Sequence, residues 1–218
     1  MAETPQQLPR TLWIGVALLL GLLGAMYLLS LAELDRTHKS ALPVLNRVAD
    51  FTLTNQDGQV TTLADLTNRV WIADIIFTRC ASSCPIMTAQ MKSLQDALPT
   101  ASEAKLVTLT TDPDYDAPTI LKHYGERYGA DFKRWTFLTG TKRELANLAT
   151  DSLKLGSTPV PTQDQKSTVD LFVHSTIFVV VDKHAQLRGI FQTEGDDVNW
   201  TNSQSQIIET VRQLEHEP

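Results

Sequence analysis

Residues 70–85 read VWIADIIFTRCASSCP, and the reading of the fold starts from them. Val70 to Phe77 is a nearly continuous apolar run of strand length, the pattern of a central strand buried on both faces. Thr78 to Cys84 is a short connection. Pro85 then opens a helix through about Leu98, since proline's missing N–H would be unbonded in a first helical turn anyway. Met87, Met91, Leu94 and Leu98 give that helix one apolar stripe. Both cysteines of the chain fall inside this strand-to-helix turn.

The alternation continues outward. Before it, Phe51 and Leu53 alternate with polar residues, Asp57-Gly58 supplies a turn and Val60 opens the return strand of a hairpin. After it, Lys105 to Thr111 is a second buried strand, broken at Asp112-Pro113. Pro118 starts a helix through about Tyr128, closed by Gly129. Trp135 to Leu138 is a short strand, and Thr141 with Glu144 forms a capping box for a helix to about Ser152. Gly156 to Val173 is a long connection holding Pro159 and Pro161. Thr176 to Val181 and Gln186 to Gln192 form a hairpin around Asp182–Ala185, and an amphipathic helix from about Asn202 to Leu214 closes the chain. Alternating strands and helices imply an α/β, three-layer domain with a central mixed sheet and helices on both faces. A closing antiparallel hairpin after a βαβ half is the thioredoxin-like arrangement.

Composition narrows the function classes. Of 218 residues, 42% are hydrophobic and 20% charged, with a net charge of −6. That excludes a disordered or fibrous chain. Two cysteines cannot build a disulfide scaffold or a four-thiolate zinc site. The acidic excess argues against a nucleic-acid partner.

The N-terminus stands apart. Leu12 to Ala32 reads LWIGVALLLGLLGAMYLLSLA without a charge. At ~1.5 Å per residue the run covers roughly 30 Å, about one bilayer core. A cleaved signal peptide fits less well, since such apolar regions are usually ~7–15 residues long. No cysteine follows the run to carry a lipid. The chain therefore divides into a tail (1–10), a transmembrane anchor (11–32), a tether (33–49) and one domain (50–216).

Cys80 and Cys84 sit where unpaired helical N–H groups favour thiolates. One helical turn from Cys80 to Cys84 would bring both sulfurs to the same side, with Cα atoms ~6 Å apart. The pair can then be a dithiol, a disulfide or a metal chelate. Two sulfur ligands suit Cu(I), and a third imidazole would admit Cu(I) or Cu(II). Of five histidines, His38 lies beside the anchor, His216 near the C-terminus, His123 in a helix and His184 in a hairpin turn. His174 differs: it directly precedes the apolar strand STIFVVV.

Three segments together, FTRCASSCP (77–85), LTTDPDYDAPTILKHYGERYGADFKRWTFLTG (109–140) and VHSTIFVVVD (173–182), resemble the Sco/SenC family of copper-binding assembly factors. The likeness covers roughly Ala49 to Leu214. It implies a thioredoxin-like domain on a single span, with copper held by Cys80, Cys84 and His174. It also implies a partner: the copper-bearing subunit of cytochrome c oxidase, or another copper or thiol protein. The family matures that copper centre by delivering copper or by reducing its thiols, so the domain belongs in the periplasm or an equivalent compartment.

Two departures bear on this. Ala81-Ser82-Ser83 lacks the proline that often follows the first cysteine in the family. Asp74 interrupts a strand fit for burial, and it must be protonated, paired or near the surface. Thioredoxins carry a buried aspartate at the same offset, which favours the alternative of a thiol-disulfide oxidoreductase with Cys80 and Cys84 as the redox pair. Asp112, Asp114 and Asp116, with Pro113 and Pro118 among them, read as a turn and helix start rather than a hard-cation site. Asp112 and Asp116 match family positions suited to partner docking.

Overall fold

The computed structural model describes residues 10–38, 42–156 and 176–217. They form two units, one ending at Leu42 and one beginning at Pro43. In the first, the apolar run is a single helix, α1 (Arg10–His38), which continues past the expected anchor boundary. Its stretch Trp13–Ser30 is long and apolar enough to cross a membrane, and none of that stretch is buried.

The second unit begins earlier than the hydropathy pattern implied. Residues 33–49 were expected to be an unpatterned tether, but Asn46–Arg47 forms a short strand, β1, antiparallel to the later strand at Gln186 and Leu187. The Leu45 and Val48 amides reach the Leu187 and Ala185 carbonyls, each at 2.8 Å. Two residues are too few to show an alternating pattern, so nothing local marked this strand.

The hairpin follows as β2 (Thr52–Asn55) and β3 (Val60–Thr62), with Gly58 at a φ of 76° where a side chain would be strained. Next come β4 (Trp71–Ile76), α2 (Ser83–Ala97), β5 (Lys105–Thr110), α3 (Pro118–Arg127) and β6 (Trp135–Thr139). The Thr141–Glu144 capping box is present and opens α4 (Lys142–Ala146). That helix widens into a π-helical turn, Asn147–Ser152, where the Leu153 amide bonds the Leu148 carbonyl. The chain ends with β7 (Ile177–Val181), β8 (Gln186–Gln192) and α5 (Trp200–His216).

The sheet order is β1-β8-β7-β4-β5-β6-β2-β3. Its centre is parallel, β4 to β5 to β6, while β7 pairs antiparallel with β4. All six residues of β4 are buried, Asp74 among them, as befits a strand that is apolar at every other position. Trp71, Ala73 and Ile75 point to one face, where Val107, Leu109, Leu138, Leu145 and Leu148 pack with them. Ile72, Asp74 and Ile76 point to the other, with Leu106 and Thr108 beside them in the β5 register. Met87, Met91 and Leu94 of α2 are buried, as their stripe predicted, and the amphipathic α5 buries Ile207, Val211 and Leu214. The result is the expected mixed sheet with helices on both faces.

Candidate metal and thiol site

A parallel centre places the C-terminal ends of β4 and β5 on one rim, and the cysteines sit there. After Ile76 the chain turns, with the Cys80 amide donating to the Phe77 carbonyl at 3.1 Å. Helix α2 starts at Ser83, with Ser82 as its N-cap. Cys84 is therefore helical and Cys80 is not, which corrects the expectation of one shared helical turn. Proline is the reason. In a helix the Pro85 ring would collide with the carbonyl four residues back, so the helix cannot extend through Ala81.

Both cysteines are free thiols, Cys80 partly exposed and Cys84 buried at 7% exposure. The Ser82 hydroxyl does not cap the helix; it lies 3.4 Å from the Cys80 sulfur. Burial alone would raise the Cys80 thiol. Hydrogen bonds from Ser82, from the backbone at Cys84 and Ser82, and from the Cys84 side chain outweigh it and lower the pKa. Burial pushes Cys84 strongly upward, only partly offset by a backbone hydrogen bond from Phe77. One thiol is thus primed to ionise first, and the other is held protonated.

Asp74 lies under this pair on the face that α2 covers. It is fully buried, and its Oδ1 accepts the Thr108 hydroxyl at 2.6 Å. Thr108 in turn accepts the Trp135 indole N–H at 2.9 Å. The other oxygen, Oδ2, has no partner. Desolvation therefore outweighs the Thr108 bond and raises the carboxyl to about 7. Of the options open to Asp74, a place near the surface is ruled out.

The three aspartates after β5 separate in role. Asp112 pairs with Arg79 at 2.5 Å, and the Arg79 guanidinium also lies 4.1 Å from the Tyr115 ring centroid. Asp114 pairs with Lys142. Asp116 is buried and accepts from the Thr78 amide, the Thr78 hydroxyl and the Thr110 hydroxyl. None caps α3, whose N-cap is Ala117. The three form a turn that leads into α3, as expected, with no acidic side chain in the helix's first turn. The ties from this turn to Thr78 and Arg79 were invisible in sequence, because the partners lie 38 and 33 residues apart.

His174 lies outside the described residues. Among those described, His123 is exposed and faces Glu126, His184 occupies the β7–β8 turn, and His216 ends α5. No group of three His, Cys, Asp or Glu side chains able to hold a metal occurs among the described residues.

Residues 41–211 match the family model described as SCO1/SenC. The chain belongs to the SCO1/SenC family. The SCO1 protein homolog of Bacillus subtilis (strain 168) is 33% identical over 162 residues, which span 72% of this SCO1/SenC chain and 81% of the relative. The structure of BsSco, a member of the Sco family of cytochrome c oxidase assembly proteins studied for a disulfide switch, superimposes with a TM-score of 0.67. It is 29% identical, covering 82% of this chain and 100% of that one. Bradyrhizobium japonicum ScoI, solved with copper bound, shares the fold at a TM-score of 0.60 and 18% identity, over 77% of this chain and 99% of its own. The thioredoxin-like SCO1/SenC fold is thus the one expected from the strand-to-helix pattern.

Proposed function

We propose that this protein is a membrane-anchored copper chaperone. It binds one copper through Cys80, Cys84 and His174 and assists maturation of the copper centre of cytochrome c oxidase. The observation that carries this reading is the pair of free thiols at the start of α2, one partly exposed and one buried. The donor set fits the ion: thiolate sulfur is the ligand type that selects Cu(I). Strand β7 supports the third ligand. Ala73 pairs with Val179, so the chain enters β7 at the same end of the sheet where β4 leads to Cys80, and His174 stands three residues before Ile177. The membership of BsSco in the Sco family of cytochrome c oxidase assembly proteins supports the destination.

Within this reading Cys80 is the ligand a recipient can approach, and Cys84 is the inner one. Bound copper is the cargo, passed on by exchange with a recipient's own thiols. Loading weakens in acid because thiols must lose protons to ligate. Helix α1 supports a single-pass anchor, with the domain in the periplasm or an equivalent compartment. Copper titration of the purified chain tests the proposal. It predicts about one copper per chain, lost in Cys80→Ala and in Cys84→Ala and weakened in His174→Ala. Full loading of both cysteine variants would rule the mechanism out. A reporter fused after Pro218 that is active only in the cytoplasm would overturn the topology.

A second reading is favoured by Asp74: a thiol-disulfide oxidoreductase acting on a partner's cysteines. The Cys80 thiolate would attack a partner disulfide, and Asp74 would take the proton from Cys84. Cys84 would then displace the partner as a dithiol, leaving Cys80–Cys84 oxidised. Reduction of insulin that survives His174→Ala but falls in Asp74→Asn distinguishes this reading from copper delivery.

A further inference from the structure

We propose that Asp116 is a positioning residue for Cys80, acting through Thr78. The inference rests on the reading above for the role of Cys80, and it concerns how that thiol is held.

Cys80 precedes α2, so no helical hydrogen bonding fixes it. What delivers it is the turn in which its own amide bonds the Phe77 carbonyl, with Thr78 and Arg79 as the two central residues. Thr78 is held twice by one carboxylate. Its amide donates to Asp116 Oδ2 at 3.1 Å, and its hydroxyl donates to Oδ1. Asp116 is itself fixed from behind. The Thr110 hydroxyl donates to Oδ2 at 2.5 Å and accepts the Asp112 amide at 3.0 Å, while the Asp116 amide reaches the Asp112 carbonyl at 2.8 Å. Asp116 is fully buried.

Burying a carboxylate is costly unless its oxygens are satisfied, and here three donors converge on it. Such a group is not needed to fill space, since an apolar side chain would do so without the desolvation cost. What the carboxylate adds is a fixed geometry for Thr78, the first of the two central residues of the turn that ends at Cys80. Arg79, itself exposed, adds a second tie, to the buried Asp112. The cysteine loop is thereby referenced to the end of β5, which the parallel register places beside β4. Cys84 needs no such device, because α2 holds it.

Loosening the turn lowers the effective concentration of the Cys80 sulfur at Cys84, which disulfide equilibration reads directly. The metal-free full chain in detergent is equilibrated with glutathione buffers. Glutathione disulfide oxidises the two protein thiols to Cys80–Cys84, and the two electrons and two protons leave as two molecules of glutathione. Thr78→Val and Asp116→Ala lower the equilibrium constant for disulfide formation about fivefold, roughly the worth of one net hydrogen bond. Thr78→Ser keeps the hydroxyl and stays within about twofold of the parent. If Asp116→Ala does not fold, Thr78→Val alone decides the matter. An unchanged or raised constant in folded Thr78→Val overturns the proposal. Copper is absent from this assay, so a parent chain that fails to load copper would defeat the proposed function while leaving this result standing.

Discussion

The Thr108 hydroxyl donates a 2.6 Å hydrogen bond to the buried Asp74 carboxyl, whose second oxygen has no partner. One donor does not offset complete burial, so the carboxyl titrates at about 7 in the folded chain, against 3.8 when unperturbed. The folded state therefore holds this proton more tightly than the unfolded state. Asp74 contributes its full stability below the unfolded value and loses it as pH rises through the folded one. Over that window the loss is on the order of 4 kcal/mol. Chemical denaturation between pH 4 and 8 shows this decline in the parent, and Asp74→Asn removes most of the slope. An equal slope in the variant would show that another group is responsible.

Asp74 also bears on thiol exchange. If it takes the proton of the buried Cys84, Asp74→Asn slows insulin reduction by about 10- to 100-fold. Copper stoichiometry stays at the parent value, because Asp74 is not among the proposed ligands. Loss of copper without loss of reductase rate would contradict both halves.

The two thiols differ in exposure and in ionisation. Iodoacetamide therefore labels Cys80 before Cys84, by at least about tenfold at neutral pH. The Cys80 rate rises with pH to a midpoint below the ordinary thiol range, and Cys84 reacts appreciably only on unfolding. Peptide mapping after brief labelling checks the order, and equal labelling would remove the basis for assigning outer and inner roles.

Far from the rim, Arg188 is buried and donates to Asp182 at 2.6 Å and to Glu217 at 2.8 Å. Arg188→Ala leaves buried carboxylate oxygens without this partner and costs about 3–5 kcal/mol in unfolding free energy. Urea unfolding measures the loss. A folded fraction of the variant still loads copper with parental stoichiometry, since this ion pair joins the β7–β8 hairpin to the C-terminal end of α5 at the opposite end of the sheet.

Sequence pattern revealed the elements that carry their own signal. Val70 to Phe77 could only be an interior strand, and the Thr141–Glu144 box announced its helix. Proline's preference for a first helical turn points to Pro85 as the start of α2, but that preference does not fix the position within the turn. Pro85 is the third residue, which leaves Cys84 inside the helix and Cys80 outside. The π-helical turn at Asn147–Ser152 leaves no sequence signal, because a slightly wider turn barely changes an apolar pattern. Asp74 was conspicuous as a polar interruption, but only the β4–β5 register brings Thr108 beside it. The Asp116–Thr78 tie left no local trace, since it depends on two parallel strands ending at one rim.

The early strand β1 has a practical consequence for anyone preparing the domain in water. Asn46 bonds the Asp151 and Ser152 carbonyls at 2.6 and 2.9 Å, and the Ala49 amide reaches the Ser152 hydroxyl at 3.2 Å. A version trimmed to Asp50 would lose that clasp on the π-helical turn, uncover the outer edge of β8 and invite sticking between copies. The sensible cut falls at or before Pro43, where the unit itself begins.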